Sequence, residues 1–380
     1  MSRLLGGMSP QRFLAEYWQK KPLLIEAAWP QAADSLGRED LQELAGEDGI
    51  EARLILEHGA TPWELRHGPF DAAVFAALPA SHWTLLVQAV DHYDLQWRSL
   101  LDELSFLPNW RIDDIMISYA PEDGSVGPHD DRYDVFLLQL HGHRHWRIGP
   151  VVSATHPRLA HPRLRLLQDM PVEFEATLAP GDLLYLPPGV AHHGVASDAC
   201  LTLSIGFRAP TLAHLLERIV DASLEADPGL RLFQDGQRQP CTHPGALATE
   251  DIEALRRQVL ALLEDDERWR QVLGASLSEA KYEDYQPHGE VISRRALRAH
   301  LQGGGALLRD PASRFIYTEN SSGQTLAWVN GEARTDMPMH LLTRIADARR
   351  LTSRDLPPLQ ANEEAALCAW IEEGLLLLEE

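Results

Sequence analysis

Residues 124–149 read GSVGPHDDRYDVFLLQLHGHRHWRIG, and residues 181–195 read GDLLYLPPGVAHHGV. Both join a glycine and proline turn to a short apolar run. In the first, Gly127 and Pro128 turn the chain before His129 and Asp131, and the run from Val135 to Leu140 has strand length. In the second, Pro180, Gly181 and Asp182 make a turn, Leu183 to Leu186 extend, and Pro187, Pro188 and Gly189 turn again before His192. Outward from these motifs the texture persists from about residue 112 to 208. DDIMISYA, HWRIGPVV, FEATLAPGD and LTLSIGF are all short runs punctuated by proline and glycine. The pattern predicts antiparallel strands closing into a sandwich or barrel.

His129 and Asp131 stand two apart, so on a strand they share a face and can hold one metal ion together. A sheet closed on itself can return a third ligand from the second motif. Two histidines and a carboxylate on one face of an octahedron form the facial triad of non-haem iron(II) oxygenases, which leaves about three positions open. Imidazole and carboxylate suit iron(II), and nothing in either motif supplies a thiolate. Alone, His129 and Asp131 would fit a solvated pair after a Gly-Pro turn equally well; the second motif tips the balance toward the metal. His141, His143 and His145 alternate with Gly142, Arg144 and Trp146 and imitate a zinc site. On a strand they would share the face opposite Arg144, and a hairpin turn interrupts them, so a solvated or packed face is expected.

The segments VGPHDDRYDVFLLQ, GHRHWRIG, GDLLYLPPGVAHHG and LSIGFRAP resemble the JmjC-type ribosomal oxygenases of the cupin superfamily. Among these the chain is most similar to bacterial arginine hydroxylases of large-subunit ribosomal protein sixteen. The resemblance implies a mixed α+β fold with a double-stranded β-helix (jelly-roll) core, iron(II), 2-oxoglutarate and a homodimer. It places the triad on His129, Asp131 and His192, choosing His192 over its neighbour because the distal histidine of the family stands three after the glycine of PPG. His193 is a departure, since other members often carry an acidic residue there. The basic partner of the distal carboxylate of 2-oxoglutarate falls on Arg144, a task that suits a planar guanidinium. Thr202 and Ser204 are further candidates to donate to the cosubstrate, or else strand hydroxyls satisfied by backbone. Asp114 and Tyr133 match positions that face the substrate arginine; the competing readings are a strand-end carboxylate beside Asp113 and a core aromatic.

Beyond the barrel the texture changes twice. Ser9 and Pro10 begin an amphipathic helix with Phe13, Leu14, Tyr17 and Trp18 on one face, and KKPLLIEAAWP reads as an extended arm bracketed by prolines. After Pro210, Thr211 caps a helix striped by Leu212, Leu215, Leu216, Ile219 and Val220, and Ile252, Leu255, Val259, Leu262 and Leu263 stripe a second. Helix, hairpin and helix follow in ISRRALRAHL, RFIYTENSSGQTLAWVNGEA and MHLLTRIADA, an order that reads as a winged helix. The expected division is an oxygenase domain over 1–208, a helical dimerisation linker over 209–284 and a winged-helix-like unit over 285–380.

Hydrophobic residues at 44% and charged residues at 24% fit a folded globular chain and exclude a largely disordered one. No run approaches the ~20 apolar residues of a membrane span, and the first residues lack the apolar core of a signal peptide. Cys200, Cys241 and Cys368 are too scattered for a CxxC site, which fits the reducing cytoplasm. A formal net charge of -22 disfavours direct DNA binding and favours a basic partner. Three alternatives stay open: a ribosomal histidyl hydroxylase, a metal-binding cupin without oxygenase activity, and a regulator using the winged helix. The cupin has no use for an inward Arg144. The regulator conflicts with the acidic closing segment EEAALCAWIEEGLLLLEE.

Overall fold

In the computed structural model, which describes residues 3–34, 36–57, 63–153, 155–226, 232–282, 284–285 and 288–379, the chain forms two compact units, Met1–Ala209 and Pro210–Glu380. The first opens as its sequence dictates. Ser9 accepts a hydrogen bond from the Arg12 N–H at 3.2 Å and caps α1 (Pro10–Glu16), with Pro10 at a position that needs no donor. Phe13 of α1 is fully buried. The proline-bracketed arm holds β1 (Leu23–Ile25), and four further pieces follow: α2 (Arg38–Leu44), β2 (Ala52–Leu56), β3 (Glu64–His67) and α3 (Ala72–Ala76). Then come β4 (Trp83–Val87) and α4 (Arg98–Asp102).

The strand-rich segment supplies β5 (Ile112–Ala120), β6 (His129–Asp130), β7 (Val135–His141) and β8 (Arg144–Val151). It continues with β9 (Phe174–Leu178), β10 (Leu183–Leu186), β11 (Val190–Ala196) and β12 (Cys200–Phe207). An eight-stranded sheet runs β1-β10-β7-β12-β5-β4-β2-β3, and a four-stranded sheet runs β6-β11-β8-β9. This is the two-sheet jelly roll expected from the alternating runs. The large sheet takes in β2, β3 and β4, from a region whose sequence mixes helical and extended signals. WTLLV is buried along its whole length in β4, so no alternation betrays it. Behind the sheet lies an apolar core that includes Phe13, Leu54, Leu85, Ile115, Phe136, Leu203 and Phe207.

Thr211 accepts from the His214 N–H at 3.2 Å at the start of α5 (Leu212–Ala226), which opens the second unit. There follow α6 (Thr249–Ala261), α7 (Asp266–Ser278), α8 (Arg294–Gln302) and β13 (Ala306–Arg309). The hairpin is β14 (Phe315–Glu319) with β15 (Thr325–Val329), and β16 (Glu332–Ala333) joins its edge. The unit ends in α9 (Met339–Asp347), β17 (Arg350–Thr352), α10 (Ala361–Glu372) and β18 (Leu376–Glu379). Leu297, Leu301, Phe315, Leu341, Ile345, Leu367 and Trp370 share one core, so helices and hairpin fold as a winged helix. Gly274 of α7 sits where an added Cβ would lie 2.4 Å from the Trp328 ring, so α7 packs on the hairpin. No helix among the described residues is long and apolar enough to cross a membrane.

Candidate metal centre

The two decisive motifs meet as neighbouring strands of the smaller sheet. In the pairing of β6 with β11, His129 stands directly opposite His192, and their rings lie 4.2 Å apart. Asp131 follows two residues after His129, with its backbone carbonyl accepting from Gly189 N–H at 2.7 Å, so the PPG turn is fastened to the HxD turn. His192 Nε2 is 3.7 Å from Asp131 Oδ2. One ligand atom from each of His129, Asp131 and His192 lies within 4.8 Å of the others, the one such group of three among the described residues.

Each imidazole is oriented through its far nitrogen. A backbone carbonyl can only accept, so His129 Nδ1 donates to Gly127 O at 2.9 Å and His192 Nδ1 donates to Val190 O at 2.9 Å. Both Nε2 lone pairs are thereby left for a metal. Burial, and then the neighbouring His129, push the pKa of His192 down to about 4, so its ring is neutral as a ligand must be.

His193 lies on the other face of β11. Its Nδ1 is 2.6 Å from Arg147 Nη2 and its Nε2 is 3.0 Å from Ser125 Oγ, so both nitrogens are occupied away from the triad. His143 pairs with Asp198 at 2.8 Å from the turn after β7, and His145 meets Thr177 Oγ1 at 3.0 Å. These histidines are a polar outer face.

Arg144 and Trp146 point inward from β8. The guanidinium lies 5.5 Å from the Trp146 ring, which in turn lies 5.9 Å from the His192 ring. Arg144 is 4% exposed, yet only Nη1 has partners: it donates to Ser118 Oγ at 3.3 Å and Thr202 Oγ1 at 3.4 Å. Nε and Nη2 are buried without a hydrogen-bond partner among the described residues. Burial lowers the Arg144 pKa, but an arginine cannot neutralise itself at ordinary pH. An uncompensated buried cation costs several kcal/mol. A buried guanidinium of this kind suits an anion.

Three same-face positions of β5 lead away from Arg144 along the β5–β12 ladder. Ser118 pairs with Thr202, Met116 with Ser204 and Asp114 with Gly206 in the β5–β12 ladder. Thr202 Oγ1 donates to Gln139 Oε1 at 3.1 Å, and Ser204 is buried two residues farther along the same face. Asp114 is 2% exposed and accepts from Gln88 Nε2 at 2.7 Å and Ala89 N–H at 2.9 Å. Tyr133 is 41% exposed and so is no core aromatic. The charge of Asp131, then burial, then Asp114 raise its pKa, which keeps the phenol protonated.

Residues 99–215 match the JmjC domain family and residues 261–377 match the ROXA-like winged helix. A probable ribosomal oxygenase of Haemophilus influenzae is 32% identical over 98% of this chain and 96% of that protein. The chain belongs to the JmjC ribosomal oxygenases. The ribosomal protein uL16 3-hydroxylase of Escherichia coli K12 is 34% identical over 78% of this chain and 79% of its own. The solved structure of Escherichia coli YcfD superposes with a TM-score of 0.85 at 30% identity, covering 98% of this chain and 99% of that one. A complex of the same ribosomal oxygenase with cobalt and 2-oxoglutarate superposes at 0.81.

In this ribosomal oxygenase the structure brings His129, Asp131 and His192 within ligand distance of one another, with Arg144 hydrogen-bonded to Thr202 and reaching the His192 ring through Trp146, and with Ser204 and Asp114 along the β5–β12 face. Sequence reasoning missed Ser118, Gln139 and Ser125. The signal for Ser118 was there: Asp114, Met116 and Ser118 are same-face positions of β5, whose other face carries Ile115 and Ile117. Ser125 carries no such periodicity, because it lies outside the named strands and pairs with Val195 through a single isolated bridge.

Proposed function

We propose that this ribosomal oxygenase uses iron(II) and 2-oxoglutarate to hydroxylate an arginine side chain of a basic large-subunit ribosomal protein. The observation that carries the cosubstrate is Arg144, a buried guanidinium with two nitrogens unpartnered among the described residues, near a His, Asp, His triad. A dicarboxylic 2-oxo acid answers both features: a chelating end for the metal and a distal carboxylate for the fork of Arg144. The donor set of two imidazoles and one carboxylate fits iron(II). When bound, the metal and 2-oxo acid supply oxidative decarboxylation to succinate and carbon dioxide, coupled to insertion of an oxygen atom from dioxygen into a C–H bond.

The protein's part is orientation. The Gly127 and Val190 carbonyls hold both imidazoles as Nε2 ligands, and Ser118 and Thr202, accepting from Nη1, hold Arg144 so that its free nitrogens meet the cosubstrate tail. A carboxylate shielded from solvent, Asp114 meets a guanidinium through charge-assisted hydrogen bonds, while the exposed ring of Tyr133 offers a flat surface for it. The relative named for uL16 supports a large-subunit protein as substrate, and the cytoplasm, where ribosomes assemble, is the proposed compartment. Incubating the enzyme with iron(II), 2-oxoglutarate and an arginine-containing ribosomal peptide should add one oxygen mass to the arginine. If a histidine-containing peptide is the better substrate, the arginine assignment fails while the oxygenase reading stands.

The homodimer is proposed for the helices that follow Pro210. Ile219 of α5 is buried, but Leu212 is 83% exposed and Val259 of α6 is 58% exposed. A second copy of the same apolar stripes would cover them. Direct DNA binding forms no part of the proposal: Arg298 on α8 is already engaged by both carboxylate oxygens of Glu364.

A further inference from the structure

His193 follows a metal ligand, and the alternation of strand side chains sends it to the opposite face of the sheet. Arg147 of β8 stands directly across the ladder from it. Arg147 Nη2 donates to His193 Nδ1 at 2.6 Å, and since a guanidinium has only hydrogens to give, Nδ1 is the bare nitrogen. Nε2 then carries the proton and donates to Ser125 Oγ at 3.0 Å. That hydroxyl gives its single hydrogen to Gly194 O at 2.8 Å and accepts Gly127 N–H at 3.0 Å, so its donor and both lone pairs are in use. Gly127 has φ +83°, a conformation that side-chain-bearing residues rarely adopt. Its carbonyl is the acceptor that orients His129.

An unbroken line of hydrogen bonds thus runs from Arg147 through His193, Ser125 and Gly127 to a ligand on the facing strand. We propose that His193 is a positioning residue: acting through Ser125, it pins Gly127 so that the imidazole of His129 presents Nε2 to the metal. It rests on the metal-centre reading but adds two residues that never touch the ion. Outer partners of ligands commonly change metal affinity by ~10–100-fold. Because His193 acts through two intermediates, a change on the order of tenfold is expected.

The test titrates cobalt(II) into the full-length, metal-free protein and follows its visible absorption, with thermal unfolding measured in parallel. His193→Ala and Ser125→Ala should each weaken cobalt binding about tenfold, and the double variant should be no worse than either, as members of one line require. His193→Gln, whose amide can accept from Arg147 and donate to Ser125, should recover most of the affinity. His145→Ala, on the same outer face but outside the line, should bind cobalt as the unmodified protein does. Affinity within twofold of the parent in both His193→Ala and Ser125→Ala overturns the proposal, as does a lowered Tm with affinity unchanged. If His193→Ala does not fold, Ser125→Ala decides alone. Failure of the unmodified protein to bind cobalt would instead sink the metal-centre reading itself.

Discussion

Arginine keeps its proton at any pH a cell reaches, and two nitrogens of buried Arg144 have no hydrogen-bond partner among the described residues, so its burial favours the distal carboxylate of the proposed 2-oxo acid. Arg144→Ala leaves that carboxylate unpaired, and 2-oxoglutarate binding should weaken by ~2–5 kcal/mol, read by calorimetry on the cobalt-loaded protein. Unchanged affinity would remove Arg144 from the site. Replacing any one of His129, Asp131 and His192 by alanine should abolish peptide hydroxylation measured by mass spectrometry. Asp114 belongs to a different step. Asp114→Ala should slow hydroxylation of an arginine peptide far more than it slows 2-oxoglutarate decarboxylation without peptide. An equal fall in both rates would make Asp114 a structural carboxylate held by Gln88 and Ala89.

At the level of strands and helices, what the sequence makes legible is what has a period or a cap. Ser9 and Thr211 announce their helices, and the paired positions 129 and 131 announce a shared face. The smaller sheet is different: β6 is two residues long, and only its register against β11 places His129 opposite His192. No local pattern encodes such a pairing, which depends on the closed sheet and on Gly189 reaching the Asp131 carbonyl. The resemblance to a known family chose His192 over His193; the strand's alternation supplies the physical reason. Arg144 was legible as chemistry, whereas its companions Ser118 and Gln139 come from two other strands. In the second unit, Gly274 sets two effects against each other. Glycine to alanine inside a helix ordinarily gains about 1 kcal/mol. Here the new methyl would meet buried Trp328, and overpacking of that kind costs ~1–3 kcal/mol. Gly274→Ala should therefore lower the stability of the winged helix in denaturant unfolding, and a net gain would show that α7 slides freely on the hairpin.

For the molecule as a whole, association and charge decide how it meets partners. Leu212→Asp combined with Val259→Asp should convert a dimer to a monomer by light scattering at micromolar concentration; a monomeric parent would contradict the dimer outright. With net charge -22, the KM for a basic ribosomal substrate should rise with salt while the rate of peptide-free decarboxylation changes little. The buried guanidinium of Arg144, with two nitrogens unpartnered among the described residues, would on the proposed reading also tie this protein's endurance to metabolism. A ligand that binds only the folded form adds about 2.7 kcal/mol when present at a hundred times its dissociation constant. The 2-oxo acid would be such a ligand, and its withdrawal would leave the charge of buried Arg144 uncompensated. A cell short of this metabolite would thus hold not merely an idle enzyme but a shorter-lived one, and the abundance of the protein would follow its cosubstrate.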